Sequence, residues 1–189
     1  DLIKYVKENG FTHIELMPIY EHPLDDSWGY QGTGFFSATS RFGVPKDLMY
    51  LIDRCHQEGI GVLIDWVLGH INKDSFGLHK FDGTYLFEFE DEFRRENTTW
   101  GTANIDFGKG ISRSFFLSAL DFWVKYFHVD GFRIDAVSNL IYHLGNQNNG
   151  ENHDAISFIK QISNHLSSID ERIIFSAEDS TNYNKVTHK

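Results

Sequence analysis

Residues Ile60–His70 read IGVLIDWVLGH, an apolar run that is typical of a buried β-strand and that meets a carboxylate at Asp65. The same pattern recurs in two later stretches, GFRIDAV at residues 131–137 and RIIFSAEDS at residues 172–180. Their carboxylates are Asp135 and Glu178. An ionised group at the end of a buried strand loses hydration unless something offsets that loss. Three such groups in series indicate a site at the carboxyl ends of the strands of a parallel α/β fold.

Helical patterns alternate with these strands. Apolar spacing, with Gly and Pro as stop and start signals, predicts helices at Asp1–Asn9, Pro45–Gly59, Ser112–Phe127 and His153–Ser168. The predicted strands are Phe11–Met17, Gly61–Val67, Gly131–Val137 and Ile173–Ala177. Tyr20–Phe42 is rich in glycine and is predicted to be a long loop. Strands that alternate with helices favour a parallel sheet with right-handed crossovers.

The second and third predicted strands lie further apart than one helical crossover requires. Asp65 and Asp135 are 70 positions apart, whereas a (β/α)8 barrel of about 250 residues uses about 31 residues for each unit. Residues 71–110 show no sustained period, so we expect a small subdomain inserted after the second visible strand. Four visible strands would leave two open edges, which a closed barrel lacks. The predicted fold is therefore α/β, a partial (β/α)8 TIM barrel within a longer domain.

Composition and charge narrow the class of ligand. The net charge of −10 disfavours a nucleic acid or an anionic membrane surface as partner, so a neutral ligand is expected. No apolar run approaches the about 20 residues that span a bilayer, and no signal peptide is recognisable. The lone Cys55 excludes an internal disulfide and is compatible with a reducing compartment, which fits a cytoplasmic location. No group of residues has the spacing of a metal site.

Asp135 and Glu178 are the candidate catalytic pair. Cleavage of a glycosidic bond needs two carboxyl groups on opposite sides of the bond. Spacing alone leaves open the alternative that each carboxylate caps the helix that follows it. Arg133 lies on the same strand face as Asp135, so we expect it to hold Asp135 ionised, although a structural ion pair would have the same pattern. Asp65 and His70 follow another strand closely enough to bind one sugar together.

Several motifs resemble those of the α-amylase superfamily of glycoside hydrolases and transglycosylases, and most closely those of its bacterial 1,4-α-glucan branching enzymes. The matching stretches are EHP at residues 21–23, SWGYQ at 27–31, DWVLGH at 65–70, FDGT at 81–84, RIDAV at 133–137, IY at 141–142 and AEDS at 177–180. They occur in the order that the family has and cover nearly the whole chain. The resemblance implies that residues 1–189 are part of one catalytic barrel, about its strands 2 to 5. It also implies that residues 71–110 are the family's small domain B.

The resemblance further implies a role for each candidate residue. Asp135 would be the nucleophile and Glu178 the general acid/base. The residues that would hold the sugar at the cleavage subsite are Tyr30, by stacking, and Asp65, His70 and Arg133. The implied reaction retains configuration and requires no cofactor and no metal. It cleaves an α-1,4-glucan and transfers the chain to a 6-hydroxyl of an acceptor, which makes an α-1,6 branch in glycogen.

Some features of the family are absent or altered. Leu68 stands where branching enzymes usually have Pro, and Gly32 stands where they have Pro or Val. The family's third catalytic carboxylate lies beyond Lys189, and its carbohydrate-binding module and C-terminal β domain lie outside this sequence. The 189-residue chain by itself is therefore expected to be inactive.

Two alternative functions remain. One is an α-1,4-glucan hydrolase of the α-amylase type, although Ser138 and Asn139 occupy the positions where amylases commonly have Lys and His. The other is a non-catalytic member of the superfamily. Such relatives usually lose the catalytic carboxylates, and both carboxylates are present in this sequence.

Overall fold

The computed structural model describes residues 2–184 and residue 186. The strands are β1 (His13–Leu16), β2 (Tyr20–Glu21), β3 (Gly34–Ala38), β4 (Gly61–Trp66), β5 (His70–Ile71), β6 (Glu96–Asn97), β7 (Thr102–Asn104), β8 (Gly131–Ile134) and β9 (Ile174–Ala177). The helices are α1 (Leu2–Glu8), α2 (Pro45–Gln57), α3 (Glu92–Arg95), α4 (Gly110–Phe122), α5 (Ser138–Ile141) and α6 (His153–Ile169). A π-helical turn, Trp123–Phe127, continues α4. Each predicted helix and strand is present within a few residues of its predicted bounds, and Asp1 of the first predicted helix lies outside the described residues.

Four strands form a parallel sheet in the order β1-β4-β8-β9. A long helix lies in each connection: α2 between β1 and β4, α4 between β4 and β8, and α6 between β8 and β9. Gly131 opens β8 at a point of close approach, because a Cβ atom there would lie 2.2 Å from the Ile174 carbonyl oxygen. This alternation of strands and helices confirms the predicted α/β class with a parallel sheet.

One face of the sheet is the main hydrophobic layer of the molecule. Val62, Ile64 and Trp66 on β4 and Phe132 and Ile134 on β8 are fully buried on this face. Side chains of α6 at helical spacing are also buried; they are Ala155, Phe158, Ile162 and Leu166. The opposite face of β4 and β8 carries Asp65 and Arg133, so the two faces of the central strands differ in chemistry.

Local signals set the ends of the helices that support the sheet. Pro45 is the first residue of α2, and the Asp47 carboxylate accepts a hydrogen bond of 2.9 Å from the Val44 N–H. Gly59 follows this helix with a φ of +72°, a conformation that costs glycine little. Asn152 caps α6, where its side-chain oxygen accepts a 3.2 Å hydrogen bond from the Ala155 N–H.

The prediction of a long loop over Tyr20–Phe42 was wrong in part, because β2 and β3 pair there as antiparallel strands with an irregular register. Large buried side chains hold this pair against the sheet. The Tyr20 and Phe35 rings stack at 5.3 Å, and the Tyr20 hydroxyl accepts a 3.1 Å hydrogen bond from the Val67 N–H. The Trp123 indole donates a 2.9 Å hydrogen bond to the Phe35 carbonyl. Aromatic packing therefore outweighs the local preference of the glycines for loop structure.

Between β4 and α4 the chain leaves the parallel sheet and forms a smaller antiparallel sheet in the order β5-β7-β6. A buried carboxylate organises the turns around it. The Glu88 side chain, which has no exposed surface, accepts hydrogen bonds from the Lys80 and Phe87 N–H groups and lies 2.8 Å from the His79 imidazole. Lys109 donates a 2.7 Å hydrogen bond to the Glu88 carbonyl, which ties this segment to the start of α4.

Candidate active site

The register of the parallel strands brings the candidate residues together. Asp65 on β4 and Arg133 on β8 are paired partners in the sheet. Asp135 and Glu178 directly follow the last paired positions of β8 and β9, Ile134 and Ala177. Residues two apart on a strand point to the same side. The register therefore projects the carboxylates of Asp65, Asp135 and Glu178 to the side of the sheet on which Arg133 lies.

Main-chain hydrogen bonds extend this ladder as far as the carboxylates. The Asp135 N–H donates to the Trp66 carbonyl at 3.0 Å, and the Glu178 N–H donates to the Ile134 carbonyl at 2.9 Å. The Val137 N–H donates back to the Glu178 carbonyl at 3.0 Å. These main-chain hydrogen bonds therefore fix the backbone positions of both candidate catalytic residues.

Arg133 is the shared partner of the three carboxylates. Its Nη1 atom lies 2.7 and 2.6 Å from the two carboxylate oxygens of Asp65 and 3.3 Å from Asp135 Oδ1. Its Nη2 atom lies 2.9 Å from Glu178 Oε2. The guanidinium side chain is 18% exposed and that of Asp65 is 3% exposed, so their ion pair is largely shielded from solvent.

Arg133 favours the ionised form of Asp135, as expected, but its contact does not keep the pKa of Asp135 low. The pKa of Asp135 is raised to about 7, first by burial and then by repulsion from the carboxylates of Asp65 and Glu178. Arg133 opposes this rise, but its shortest contacts are with Asp65. One cation cannot neutralise three anions, so the carboxylate with the weakest contact to Arg133 retains a proton most readily.

Glu178 is positioned by the backbone beside Asp135. The Ala136 N–H donates a 2.7 Å hydrogen bond to Glu178 Oε2. Ala136 has a φ of +44°, which is uncommon for a residue with a side chain and turns the chain sharply after Asp135. Helix α5 begins at Ser138 with Val137 as its N-cap and without a side-chain cap bond, so Asp135 does not cap it. The capping alternative therefore does not account for Asp135.

Tyr30 and His70 extend the cluster toward β5. The Tyr30 hydroxyl donates a 2.6 Å hydrogen bond to Asp65 Oδ2, and burial together with this contact raises the pKa of Tyr30. The Nε2 atom of His70 lies 3.0 Å from the Tyr30 carbonyl oxygen. Because a carbonyl oxygen only accepts hydrogen bonds, Nε2 carries the proton. Burial lowers the pKa of His70 to about 4, so its imidazole is neutral at pH 7.

Sequence reasoning missed two residues that border the cluster. The Trp100 ring lies 4.9 Å from the His70 ring, and the Trp100 carbonyl accepts a 3.3 Å hydrogen bond from the Gln31 side chain. Trp100 lies in the turn between β6 and β7, in a segment without a recognisable period. Gln31 could have been found because it is adjacent to Tyr30, but nothing in the sequence pairs Trp100 with His70.

Within residues 2–184 and 186, no group of three or more His, Cys, Asp or Glu side chains is arranged to hold a metal ion. None of the helices in this part of the chain is both long enough and apolar enough to cross a bilayer.

Carboxylates at the carboxyl ends of neighbouring parallel strands lie where parallel α/β folds carry their active sites. Residues 1–80 match the alpha-amylase family, described as alpha amylase, catalytic domain. The fold resembles the crystal structure of an alpha-amylase from Geobacillus thermoleovorans complexed with acarbose. The TM-score is 0.74 and the identity is 22%, over 95% of this chain and 39% of that one. The chain therefore has a fold of the α-amylase class.

Curated relatives give a closer match. The chain is 54% identical over 187 residues to the 1,4-alpha-glucan branching enzyme GlgB of Bacillus caldolyticus, which covers 99% of this chain and 28% of that protein. It is also 54% identical to the enzyme of the same name from Geobacillus stearothermophilus, over 99% of this chain and 29% of that protein. Over nearly its whole length, the chain is therefore similar to one segment of these branching enzymes. It spans less than a third of the length of these relatives.

Proposed function

We propose that this chain is part of the catalytic domain of a retaining transglycosylase that makes α-1,6 branches in an α-1,4-glucan. The observation that carries the proposal is the contact of Asp135 and Glu178 with one guanidinium, in a sequence 54% identical to branching enzymes. The proposal includes a (β/α)8 barrel in which the four parallel strands are about strands 2 to 5. Residues 71–110 would be its small domain B.

Asp135 and Glu178 have the chemistry that the two steps of a retaining reaction need. In the first step Glu178 protonates the oxygen of the scissile α-1,4 bond while the Asp135 carboxylate attacks the anomeric carbon. The bond to the departing chain breaks, and a covalent glucosyl ester forms on Asp135. In the second step Glu178 takes the proton from a 6-hydroxyl of the acceptor. That oxygen attacks the anomeric carbon, which frees Asp135 and forms the α-1,6 branch.

The neighbouring side chains would bind the sugar and influence the protonation state of Asp135. Asp65 and the neutral His70 can hydrogen-bond hydroxyls, and Tyr30 can stack on the ring. Asp135 must lose its proton before it attacks, and its pKa of about 7 leaves it partly protonated at neutral pH. Arg133 is the group that favours the ionised form of Asp135. The scheme requires no cofactor, and a third carboxylate would come from outside this sequence. A cytoplasmic location is part of the proposal.

The main competing function is hydrolysis by an α-amylase-type enzyme, in which water replaces the 6-hydroxyl in the second step. The two reactions leave different products. Hydrolysis creates one new reducing end for each cleavage, whereas transfer to a 6-hydroxyl creates an α-1,6 linkage and no new reducing end.

The test uses the polypeptide in which this chain occurs naturally, incubated with amylose. We expect new α-1,6 linkages, measured by NMR of anomeric protons, to exceed new reducing ends. Asp135→Asn should abolish both products, while Asp26→Asn, at an exposed position outside the cluster, should leave both unchanged. Reducing ends that rise without new branches would assign the protein as a hydrolase. Full activity in Asp135→Asn would rule out the catalytic assignment.

A further inference from the structure

A concave region lies at the same edge of the parallel sheet as the carboxylates. It is a pocket of about 570 Å³ between two loops, Gly145–Asn148, which follows α5, and Ser180–Asn182, which follows β9. Ser180 is only two residues beyond Glu178, and α5 begins three residues beyond Asp135. The pocket is therefore on the β8–β9 side of the cluster, while Tyr30 and His70 border the cluster on the β4 side.

The lining of this pocket is polar and uncharged. It consists of backbone, amide side chains and hydroxyls, with no Lys, Arg, Asp or Glu among the lining residues. In a chain of net charge −10, a concave region without charged side chains does not match an ionic ligand. Amides and hydroxyls both donate and accept hydrogen bonds, which suits the hydroxyl groups of a neutral sugar.

Four of these side chains have no hydrogen-bond partner within residues 2–184 and 186. They are Gln147, Asn148, Ser180 and Asn182. The loops that carry them are nevertheless held in place. The Asn146 side chain accepts a 3.0 Å hydrogen bond from the Asn148 N–H, and Asp179 accepts 2.9 and 2.7 Å hydrogen bonds from the Thr181 N–H and hydroxyl. A fixed loop backbone reduces the conformational entropy that the protein would lose when it binds a ligand.

From these contacts we propose that this pocket binds the acceptor glucan chain. The inference rests on the proposed function, because a branching reaction needs a second glucan beside the one that is cleaved. The pocket holds this chain through hydrogen bonds to its hydroxyl groups, on the side where Glu178 can take a proton from a 6-hydroxyl. Loss of the acceptor leaves the glucosyl ester on Asp135 to react with water.

The test compares two products in variants of the natural full-length protein with amylose. In Gln147→Ala/Asn148→Ala and in Asn182→Ala, we expect the ratio of new reducing ends to new α-1,6 linkages to rise. Two lost hydrogen bonds of about 1 kcal/mol each, as in the double variant, correspond to a rise of about thirtyfold. Asn164→Ala, on an exposed part of α6, serves as the matched control and should leave the ratio unchanged. A ratio within about twofold of the parent in both pocket variants would overturn the proposal.

A binding measurement separates this proposal from the proposed function. Maltohexaose added to the ¹⁵N-labelled full-length protein should shift the side-chain amide signals of Asn148 and Asn182, and should leave that of Asn164 in place. Such shifts in a protein that makes no α-1,6 linkages would retain the pocket and reject the branching function. A protein that branches amylose but shows no shift of these amides would keep its function and lose the acceptor site.

Discussion

At the scale of single residues, the main feature of the candidate site is that the Arg133 guanidinium contacts three carboxylates at unequal distances. Arg133 lies closest to Asp65, and the Asp135 carboxylate keeps only a 3.3 Å contact. The site therefore carries excess negative charge when all three carboxylates are ionised. Burial makes this excess costly, and protonation of Asp135 near pH 7 is the way in which the folded chain relieves it.

The first prediction concerns the stability of Asp135→Asn. Because the folded-state pKa of Asp135, about 7, is above the unfolded value, its contribution to stability is greatest below about pH 4. This contribution is lost as pH rises through about 7. Asparagine has no charge to bury, so Asp135→Asn should be more stable than the parent at pH 8, by about 4 kcal/mol, and nearly equal to it near pH 4.

Urea denaturation of the chain at both pH values measures this difference. Asp26→Asn, at an exposed surface position, is the control and should show no such dependence. Equal stability of Asp135→Asn and the parent at pH 8 would mean that the Asp135 carboxylate is ionised without cost.

The second prediction concerns Arg133. Arg133→Met leaves the buried Asp65 without its ion-pair partner, so we expect a loss of about 3 kcal/mol in the free energy of unfolding at pH 8. Arg133→Lys should recover only part of this loss, because one ammonium group cannot reproduce the planar fork that reaches all three carboxylates. The pKa of Asp135 should rise in Arg133→Met, which NMR titration of the carboxyl carbon measures. Arg172→Met, at an exposed position, is the control, and an unchanged Asp135 pKa would contradict the prediction.

At the scale of elements, the small antiparallel sheet and the parallel sheet meet at His70. This residue begins β5, and the Trp100 ring from the β6–β7 turn packs on it. The segment between β4 and α4 thus supplies one wall of the candidate site. Burial of the His70 ring is the largest cause of its low pKa, so this wall also sets the charge of the imidazole.

The third prediction follows from that contact. Trp100→Ala removes a ring that covers His70, so water should reach the imidazole and its pKa should rise from about 4 toward the ordinary value of about 6.5. Proton NMR of the histidine ring signals measures the change. Trp28→Ala removes an indole that is 70% exposed and should leave the His70 pKa unchanged. An unchanged pKa in Trp100→Ala would show that other groups keep water from His70.

The main helices and strands were predictable because their apolar periods are long and their ends carry clear signals. Pro45 and Gly59 frame α2, and the α6 side chains repeat at helical spacing. The β2–β3 pair was missed because its glycines are typical of loops and its strands are held by distant aromatic contacts. Such long-range packing leaves no period in a sequence.

The site was predictable to the extent that strand register determines it. Carboxylates that end neighbouring parallel strands must meet at one edge, which brought Asp65, Asp135 and Glu178 to Arg133. The relative strength of the contacts between Arg133 and these three carboxylates was not predictable. It depends on differences of a few tenths of an ångström in the contact distances. The contact between Trp100 and His70 depends on the folded path of an irregular segment, which local sequence patterns do not encode.

At the scale of the whole molecule, the parallel sheet ends at two strands with open edges. Within residues 2–184 and 186, no strand pairs with the outer edge of β1 or of β9. Apolar side chains near these edges are exposed, among them Phe11, Met17 and Ile174. Unpaired N–H and C=O groups beside exposed apolar surface favour pairing with another chain.

The fourth prediction is that the 189-residue chain self-associates through these edges. Sedimentation equilibrium should give a weight-average mass that rises above 21.9 kDa with concentration. Ile174→Lys places a charge on the β9 edge and should shift the rise to higher concentration. Ile111→Lys, on the exposed surface of α4, is the matched control. A mass that stays monomeric at all concentrations, or an equal response to both variants, would contradict the prediction.

The continuous hydrogen-bond ladder that holds the backbone of Asp135 and Glu178 also limits how far the spacing of these two carboxylates can change. Same-face positions on a strand are about 6.6 Å apart, so the spacing of the two carboxylates changes only in large steps. That spacing determines whether a glycosidase retains or inverts configuration. The segment between β4 and α4 contributes no hydrogen bond to this ladder. A change in the length of that segment is therefore compatible with an unchanged spacing of Asp135 and Glu178.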